Sequence, residues 1–180
     1  MKLSRRLSMI ASMVRRCHSV ADIGSDHAYI PCALVLNNQC AFAIAADIAK
    51  GPLEQAINNI EKYELNDKVI PVLSDGLINV EPTDCIVIAG MGVITAIEIM
   101  EAQLDKIKMA KQVVVQVNKD PMTLRPLMMK HAFMKIMTTL PFHLMPIVAV
   151  LIRLNNAIWD RFFNRKMMIM CVYIITTYLK

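Results

Sequence analysis

VADIGSDHAYIP, residues 20–31, decides how the chain is read. A short apolar run stops at Asp22, a single glycine follows at Gly24, and Ser25, Asp26, His27 and Tyr29 come in quick succession before helical spacing resumes at Pro31. An apolar strand that ends in an acid and a glycine and then turns into a helix is the opening of a strand–turn–helix unit. Ligands of open α/β sheets gather at the carboxyl ends of such strands. Two carboxylates, a hydroxyl, an imidazole and a phenol are denser than an ordinary turn needs, so the stretch is a candidate binding site.

The same pattern recurs downstream. CAFAIAADIA (40–49) is a second apolar run carrying Asp47, KVIPVLSDG (68–76) a third ending in Asp75-Gly76, and DCIVIAGMG (84–92) a fourth ending in Gly90-Met91-Gly92. QVVVQVN (112–118) is a fifth. Helical spacing separates them: residues 31–36; a helix restarted by Gly51-Pro52, with Leu53, Ala56, Ile57 and Ile60 on its inner side; and AIEIMEAQLDKI at 96–107. Near-continuous apolar strands alternating with helices predict an α/β fold, a mostly parallel sheet with helices on both faces. MKIMTTLPF (134–142) and PIVAVLIRL (146–154) predict two further strands and an antiparallel finish. The expected domain runs over 1–154, with a short helical tail over 155–180.

Charge is unevenly spread along the 180 residues. Lys2, Arg5, Arg6, Arg15 and Arg16 precede any acid; residues 17–124 carry 7 basic and 14 acidic side chains; and residues 125–180 carry 8 basic residues against Asp160 alone. An acidic middle thus lies between basic ends of the kind that attract a polyanion, although solvated cations without a partner give the same pattern. At the start, Leu3, Leu7, Ile10, Ala11 and Val14 share one helical face, with Ser4 as a cap and Lys2, Arg5 and Arg16 on the other side.

The five cysteines include no C-x-x-C pair and sit mostly among apolar neighbours, which predicts reduced, buried thiols in a cytoplasmic protein. His18, His131 and His143 are scattered and suggest no metal. No signal peptide is visible, and the longest apolar stretch, 167–175, is too short to span a bilayer. The 15 methionines are read as adaptable packing. Oligomeric state is not legible.

All five glycines, Gly24, Gly51, Gly76, Gly90 and Gly92, fall at strand ends. Asp47, 25 residues beyond Asp22, is placed to accept both hydroxyls of a ribose; the alternative is a helix cap or loop acid. The first turn is not G-x-G-x-x-G. With one glycine and two carboxylates it repels a pyrophosphate and suits a ligand with a positive centre and no phosphate. S-adenosylmethionine fits that description and NAD does not.

LSRRL, VADIGSDHAYIP, IAADIAKGPLEQAINNI, LSDGL, IVIAGMG and QVN resemble, in order and spacing, the bacterial tRNA (adenine-N1)-methyltransferases of the TrmK family, over roughly residues 2–133. The resemblance implies a Rossmann-like class I methyltransferase fold, S-adenosylmethionine as methyl donor, and methylation of adenine N1 in the D-arm region of tRNA, as in the tRNA adenine-22 N1-methyltransferases. It places Asp22, Gly24, Ser25 and Asp26 around the methionine part of the cofactor, with His27 beside them. Asp47, with Ile48, would hold the ribose. Asp75, Gly76 and Leu77 would flank the adenine. Ala89, Gly90, Met91 and Gly92 would border the acceptor base, and Ala89, Gly90 and Met91 would also contact the cofactor.

N1 of adenine already carries a lone pair, so the chemistry asks for alignment and water exclusion more than for a general base. The base must leave its stack for a pocket, for which His27, Tyr29, Met91, Gly92, Gln116 and Asn118 are candidates. For His27 a hydrogen bond within the turn, and for Tyr29 packing between helix and sheet, are the alternatives. Lys2, Arg5, Arg6, Arg15 and Arg16 are the candidate RNA contacts. Val93 stands where the family carries a further glycine, Val117 where it tends to carry proline, and the tail beyond Phe133 diverges. A second expectation is therefore a catalytically impaired S-adenosylmethionine- or RNA-binding protein derived from the family.

Overall fold

The computed structural model describes residues 1–124, residue 126 and two later strands, β6 (Met134–Thr138) and β7 (Val148–Ile152). The elements before them are α1 (Arg5–Met13), β1 (Ser19–Ile23), α2 (Tyr29–Leu36), β2 (Phe42–Asp47), α3 (Lys50–Lys62), β3 (Val69–Leu73), β4 (Cys85–Met91), α4 (Val93–Ala102), α5 (Leu104–Met109) and β5 (Gln112–Val117). A 3-10 turn covers Pro121–Leu124. The strands form a seven-stranded sheet ordered β3-β2-β1-β4-β5-β7-β6. β1 to β5 pair in parallel, while β7 runs antiparallel to both β5 and β6. This is the mostly parallel sheet with an antiparallel finish expected from the sequence.

Alternation along the strands divides the core into two layers. Val20, Ala43, Ala45, Val69, Val87 and Val114 pack with Ile10, Leu34 and Ile60 of α1, α2 and α3. Ala21, Ile44, Ile86, Ile88, Val113 and Val115 pack with Met100 and Ile107 of α4 and α5. Successive side chains of a strand point to opposite faces, so the two layers cover the two faces of one sheet. Every residue of β1 and β5 is buried for that reason.

Helix α1 begins where Ser4 Oγ accepts the Leu7 amide at 3.3 Å. It is tied to β5 near both ends by glutamines. Gln112 donates to the Met13 carbonyl (2.7 Å) and accepts the Arg15 amide (2.9 Å), while Gln116 accepts Arg6 Nη1 (2.9 Å).

Some boundaries differ from the expectation. The helix predicted over 96–107 starts at Val93 and breaks at Gln103 (φ −130°, ψ 44°) into α4 and α5. Apolar periodicity continues across the break, so the sequence pattern does not reveal it. The second strand starts at Phe42 rather than Cys40, since the Ala41 and Phe42 amides both turn to the His18 carbonyl. The helical tail expected over 155–180 lies outside the described residues, as does Cys171. The other four cysteines are free thiols, three of them buried. Among the described residues no helix is long and apolar enough to cross a membrane, and no group of three His, Cys, Asp or Glu side chains is arranged to hold a metal.

Candidate active site

The strand order reverses between β1 and β4, where the chain returns from the β3 edge to the opposite side of β1. The ends of β1, β2, β3 and β4 converge there on a cavity of about 370 Å³, bordered by Gly24, Ile48, Asp75, Leu77, Ile78 and Met91. That volume lies in the range of small-molecule sites, roughly 300–1,000 Å³. A second depression, about 510 Å³, lies between α1 and α2 away from the strand ends and is lined by no charged side chain. Its size alone gives it no chemistry.

Asp22 is the next-to-last residue of β1, inside the sheet and buried. Its Oδ2 accepts the Ser25 hydroxyl at 2.7 Å, and its other oxygen takes no hydrogen bond from a described residue. Burial pushes the Asp22 carboxyl up to about 7; the Ser25 hydroxyl and the Arg6 guanidinium work against that rise, and Asp47 adds to it. A buried carboxylate held beside a second acid and left half-partnered is prepared for a cationic group. The turn that follows is built tightly. Gly24 and Ser25 both donate their amides to the Ala46 carbonyl (2.9 Å each), and Gly24 has φ +75° with Met91 Cε 3.2 Å from where a Cβ would stand. A side chain at 24 would be strained and would press on Met91.

Asp47 ends β2 and is buried; its Oδ1 accepts the Ala49 amide at 2.9 Å. The loop-acid reading of this residue is observed, since it organises the loop before α3, while one carboxylate oxygen stays free of protein hydrogen bonds among the described residues. Ile48 beside it is 67% exposed and lines the cavity. Across the opening, Asp75 is exposed, Gly76 has φ +55° and Leu77 is buried.

At β4 a register shift between Ala89 and Met91 pushes Gly90 out of the ladder with φ +84°. The bulge is held from β5. Gln116 Oε1 accepts the Gly90 amide (3.1 Å) as well as Arg6 Nη1 (2.9 Å), Asn118 Nδ2 donates to the Gly90 carbonyl (3.0 Å), and the Asn118 amide donates to the Met91 carbonyl (3.1 Å). Gln116 and Asn118, expected as base-pocket residues, thus shape the Gly90–Gly92 wall. Gly92 starts α4 as its N-cap. Val93 packs against the α4–α5 side of the core, so the departure from a further glycine is absorbed by packing.

His27 and Tyr29 stack on each other, ring centroids 5.1 Å apart at 26°, at the start of α2. His27 Nε2 lies 3.3 Å from Asp26 Oδ2, and the His27 carbonyl accepts Asn59 Nδ2 at 3.1 Å. Neither residue borders the cavity described above; the pair forms an aromatic shelf with Tyr29 37% exposed.

The basic residues divide. Lys2, Arg5, Arg15 and Arg16 are exposed, whereas Arg6 is half-buried and turned onto Gln116, its Nη1 3.2 Å from the Cβ position of Gly90. The structure adds Thr95, Glu98, Ile99 and Ala102, which the sequence pattern did not single out and which line the cavity from α4 at three- and four-residue spacing. That spacing is a usable signal, masked by the apolar residues between them.

Comparison with known proteins agrees with this geometry. Residues 3–140 match the methyltransferase domain family. The tRNA (adenine(22)-N(1))-methyltransferase of Bacillus subtilis (strain 168) is 38% identical over 135 residues, which are 74% of this chain and 57% of that protein. The chain thus spans a little over half the length of that curated relative. The crystal structure of the B. subtilis m1A22 tRNA methyltransferase TrmK superposes with a TM-score of 0.79 at 31% identity, covering 92% of this chain and 72% of that one. M. capricolum TrmK, solved with the cofactor product S-adenosyl-homocysteine, gives 0.73 at 27% identity, covering 93% and 80%. A β1/β4 switch-point cavity without a phosphate-binding turn, a matching domain and structural likeness over most of the chain lead to one assignment: the chain belongs to the TrmK family of methyltransferase-domain proteins.

Proposed function

We propose that this chain transfers a methyl group from S-adenosylmethionine to N1 of an adenine in tRNA, in the bacterial cytoplasm. The catalytic unit is residues 1–154, with 155–180 as a helical tail. The observation that carries the reading is the acidic, pyrophosphate-excluding turn at Asp22–Asp26 beside Asp47, at the point where the strand order reverses. When bound, S-adenosylmethionine supplies an electrophilic methyl group. Asp22 and Ser25 face its cationic amino-acid end, Asp47 takes the ribose hydroxyls, and Asp75, Leu77 and Ile78 receive the adenine.

The protein's part in the transfer is geometric. The acceptor nitrogen brings its own lone pair, so no residue need remove a proton before attack. The Gly90–Gly92 wall, held by Gln116 and Asn118, sets how closely the acceptor base approaches. The stacked His27–Tyr29 pair offers an aromatic face for a base drawn out of its helix. Arg6 ties α1 to that wall, joining the helix that presents exposed cations to the position of the acceptor.

Exposed Arg5, Arg15 and Arg16 are assigned to the RNA backbone. Reversing all three to Glu is expected to weaken tRNA binding by at least about tenfold and to flatten its salt dependence, with S-adenosylhomocysteine affinity unchanged. Filter binding across a salt series, paired with calorimetry, checks this; parallel loss of both affinities would make these N-terminal cations structural instead. The function itself is tested by incubating the protein with unmodified bacterial tRNA and S-adenosylmethionine and mapping methylated nucleosides by mass spectrometry. 1-Methyladenosine is the expected product. Cofactor binding with no methyl incorporated would instead favour the impaired, binding-only protein.

A further inference from the structure

Lys106 lies on α5, outside the site described so far. Its Nζ donates to three backbone carbonyls of a single loop: Leu77 (2.8 Å), Ile78 (2.9 Å) and Val80 (2.9 Å). An ammonium has three protons, and here all three go to main-chain oxygens. The loop they hold is the one that follows β3 and walls the cavity with Asp75, Gly76, Leu77 and Ile78.

The rest of that loop is equally constrained. Ser74 Oγ donates to the Gly76 carbonyl (3.0 Å) and accepts the Asn79 amide (3.0 Å), and Asn79 Nδ2 returns to the Leu73 carbonyl (3.0 Å). Gly76 sits at φ +55° with Ile99 carbons 3.2 Å from its Cβ position, so the loop rests directly on α4. Among these restraints Lys106 is the charged one, and it comes from an element 26 to 29 residues away in sequence. The Leu77 carbonyl also accepts the Val80 amide (3.2 Å), but without Lys106 the Ile78 and Val80 carbonyls would turn toward water, and the loop residues would move with them.

We infer that Lys106 is a positioning residue for the cofactor: through the carbonyls of Leu77, Ile78 and Val80 it sets the shape of the adenine side of the cavity, and so cofactor affinity, without touching the ligand. This rests on the cofactor reading of the cavity given above. The ammonium suits the role because its three donors spread tetrahedrally from one nitrogen and turn together about the Cε–Nζ bond, whereas a guanidinium is a planar fork that matches carbonyls lying in its own plane.

The test is calorimetry with S-adenosylhomocysteine on the wild type, Lys106→Met and Lys106→Arg, at a temperature where melting curves show each protein folded. Lys106→Met is expected to raise the dissociation constant about tenfold and Lys106→Arg about threefold, since hydrogen bonds from a charged donor are lost wholly or in part. With tRNA as acceptor, the KM for S-adenosylmethionine should rise in step while kcat stays within about twofold, the signature of lost ground-state binding. If Lys106→Met does not fold, Lys106→Gln is measured on the same scale. A folded neutral variant that binds like wild type, or one that lowers kcat at unchanged KM, overturns the inference. A wild-type protein that binds no S-adenosylhomocysteine overturns the cofactor reading as well.

Discussion

Replacing Asp47 with alanine is expected to weaken S-adenosylhomocysteine binding about a hundredfold, the value for losing two hydrogen bonds of about 1.5 kcal/mol each to a charged acceptor. Asp47 ends β2 one strand from Asp22, buried, with one oxygen committed to the Ala49 amide. A ribose hydroxyl pair meeting this carboxylate would add charge-assisted bonds to an acceptor that is itself buried. Asp47→Asn keeps one oxygen acceptor and the loop bond, so its loss should be closer to about tenfold. Calorimetry separates the three proteins, and a melting curve shows whether the Ala49 bond matters to folding. Wild-type affinity in a folded Asp47→Ala protein would place the ribose elsewhere.

The second large effect is a pH dependence centred on Asp22. Burial raises its carboxyl from the ordinary range to about 7, while Ser25 and Arg6 pull it down and Asp47 pushes it further up. The folded protein therefore holds a proton that the unfolded chain releases between about pH 4 and pH 7. Over that window the folded state binds more protons than the unfolded one, so stability falls as pH rises. A carboxyl raised from the ordinary aspartate range to about 7 implies a stability loss on the order of 4 kcal/mol by about pH 8. Thermal melts from about pH 5 to about pH 8 should show about 3 kcal/mol of that decline in the wild type and a much shallower one in Asp22→Asn.

The same linkage acts on the ligand with the opposite sign. A cationic cofactor favours the ionised Asp22, so affinity for S-adenosylmethionine should rise about tenfold from about pH 6 to about pH 8 and level off above it. Asp22→Asn should remove that slope. If the variant retains it, the titrating group lies elsewhere.

Much of this is readable in one dimension. The strands announce themselves because a sheet covered on both faces demands continuous apolar runs, and the site follows because acids and glycines stand where those runs stop. What the sequence does not show depends on long-range partners. Arg6 falls between the apolar and basic faces of α1, and only Gln116, 110 residues away, turns it inward. The bulge at Gly90 exists through bonds from Gln116 and Asn118, which look like ordinary polar residues at the end of β5. Lys106 sits in an unremarkable stretch of charge, and its role comes entirely from where α5 is folded after the break at Gln103. Local pattern carries the layers and the strand ends. The positioning of the walls comes from tertiary contacts between segments far apart in sequence.

The proposed cofactor placement at the β1/β4 switch point puts the adenine in the cavity walled by the Asp75–Ile78 loop and the ribose on Asp47, which adjoins the cavity residue Ile48 without lining the cavity itself. A crystal structure of the protein grown with S-adenosylhomocysteine tests it most directly. The prediction is a ligand whose ribose hydroxyls meet the Asp47 carboxylate, whose adenine lies against Leu77 and Ile78, and whose amino group reaches Asp22. Ligand bound away from these strand ends, or a cavity left empty at saturating ligand, would contradict it.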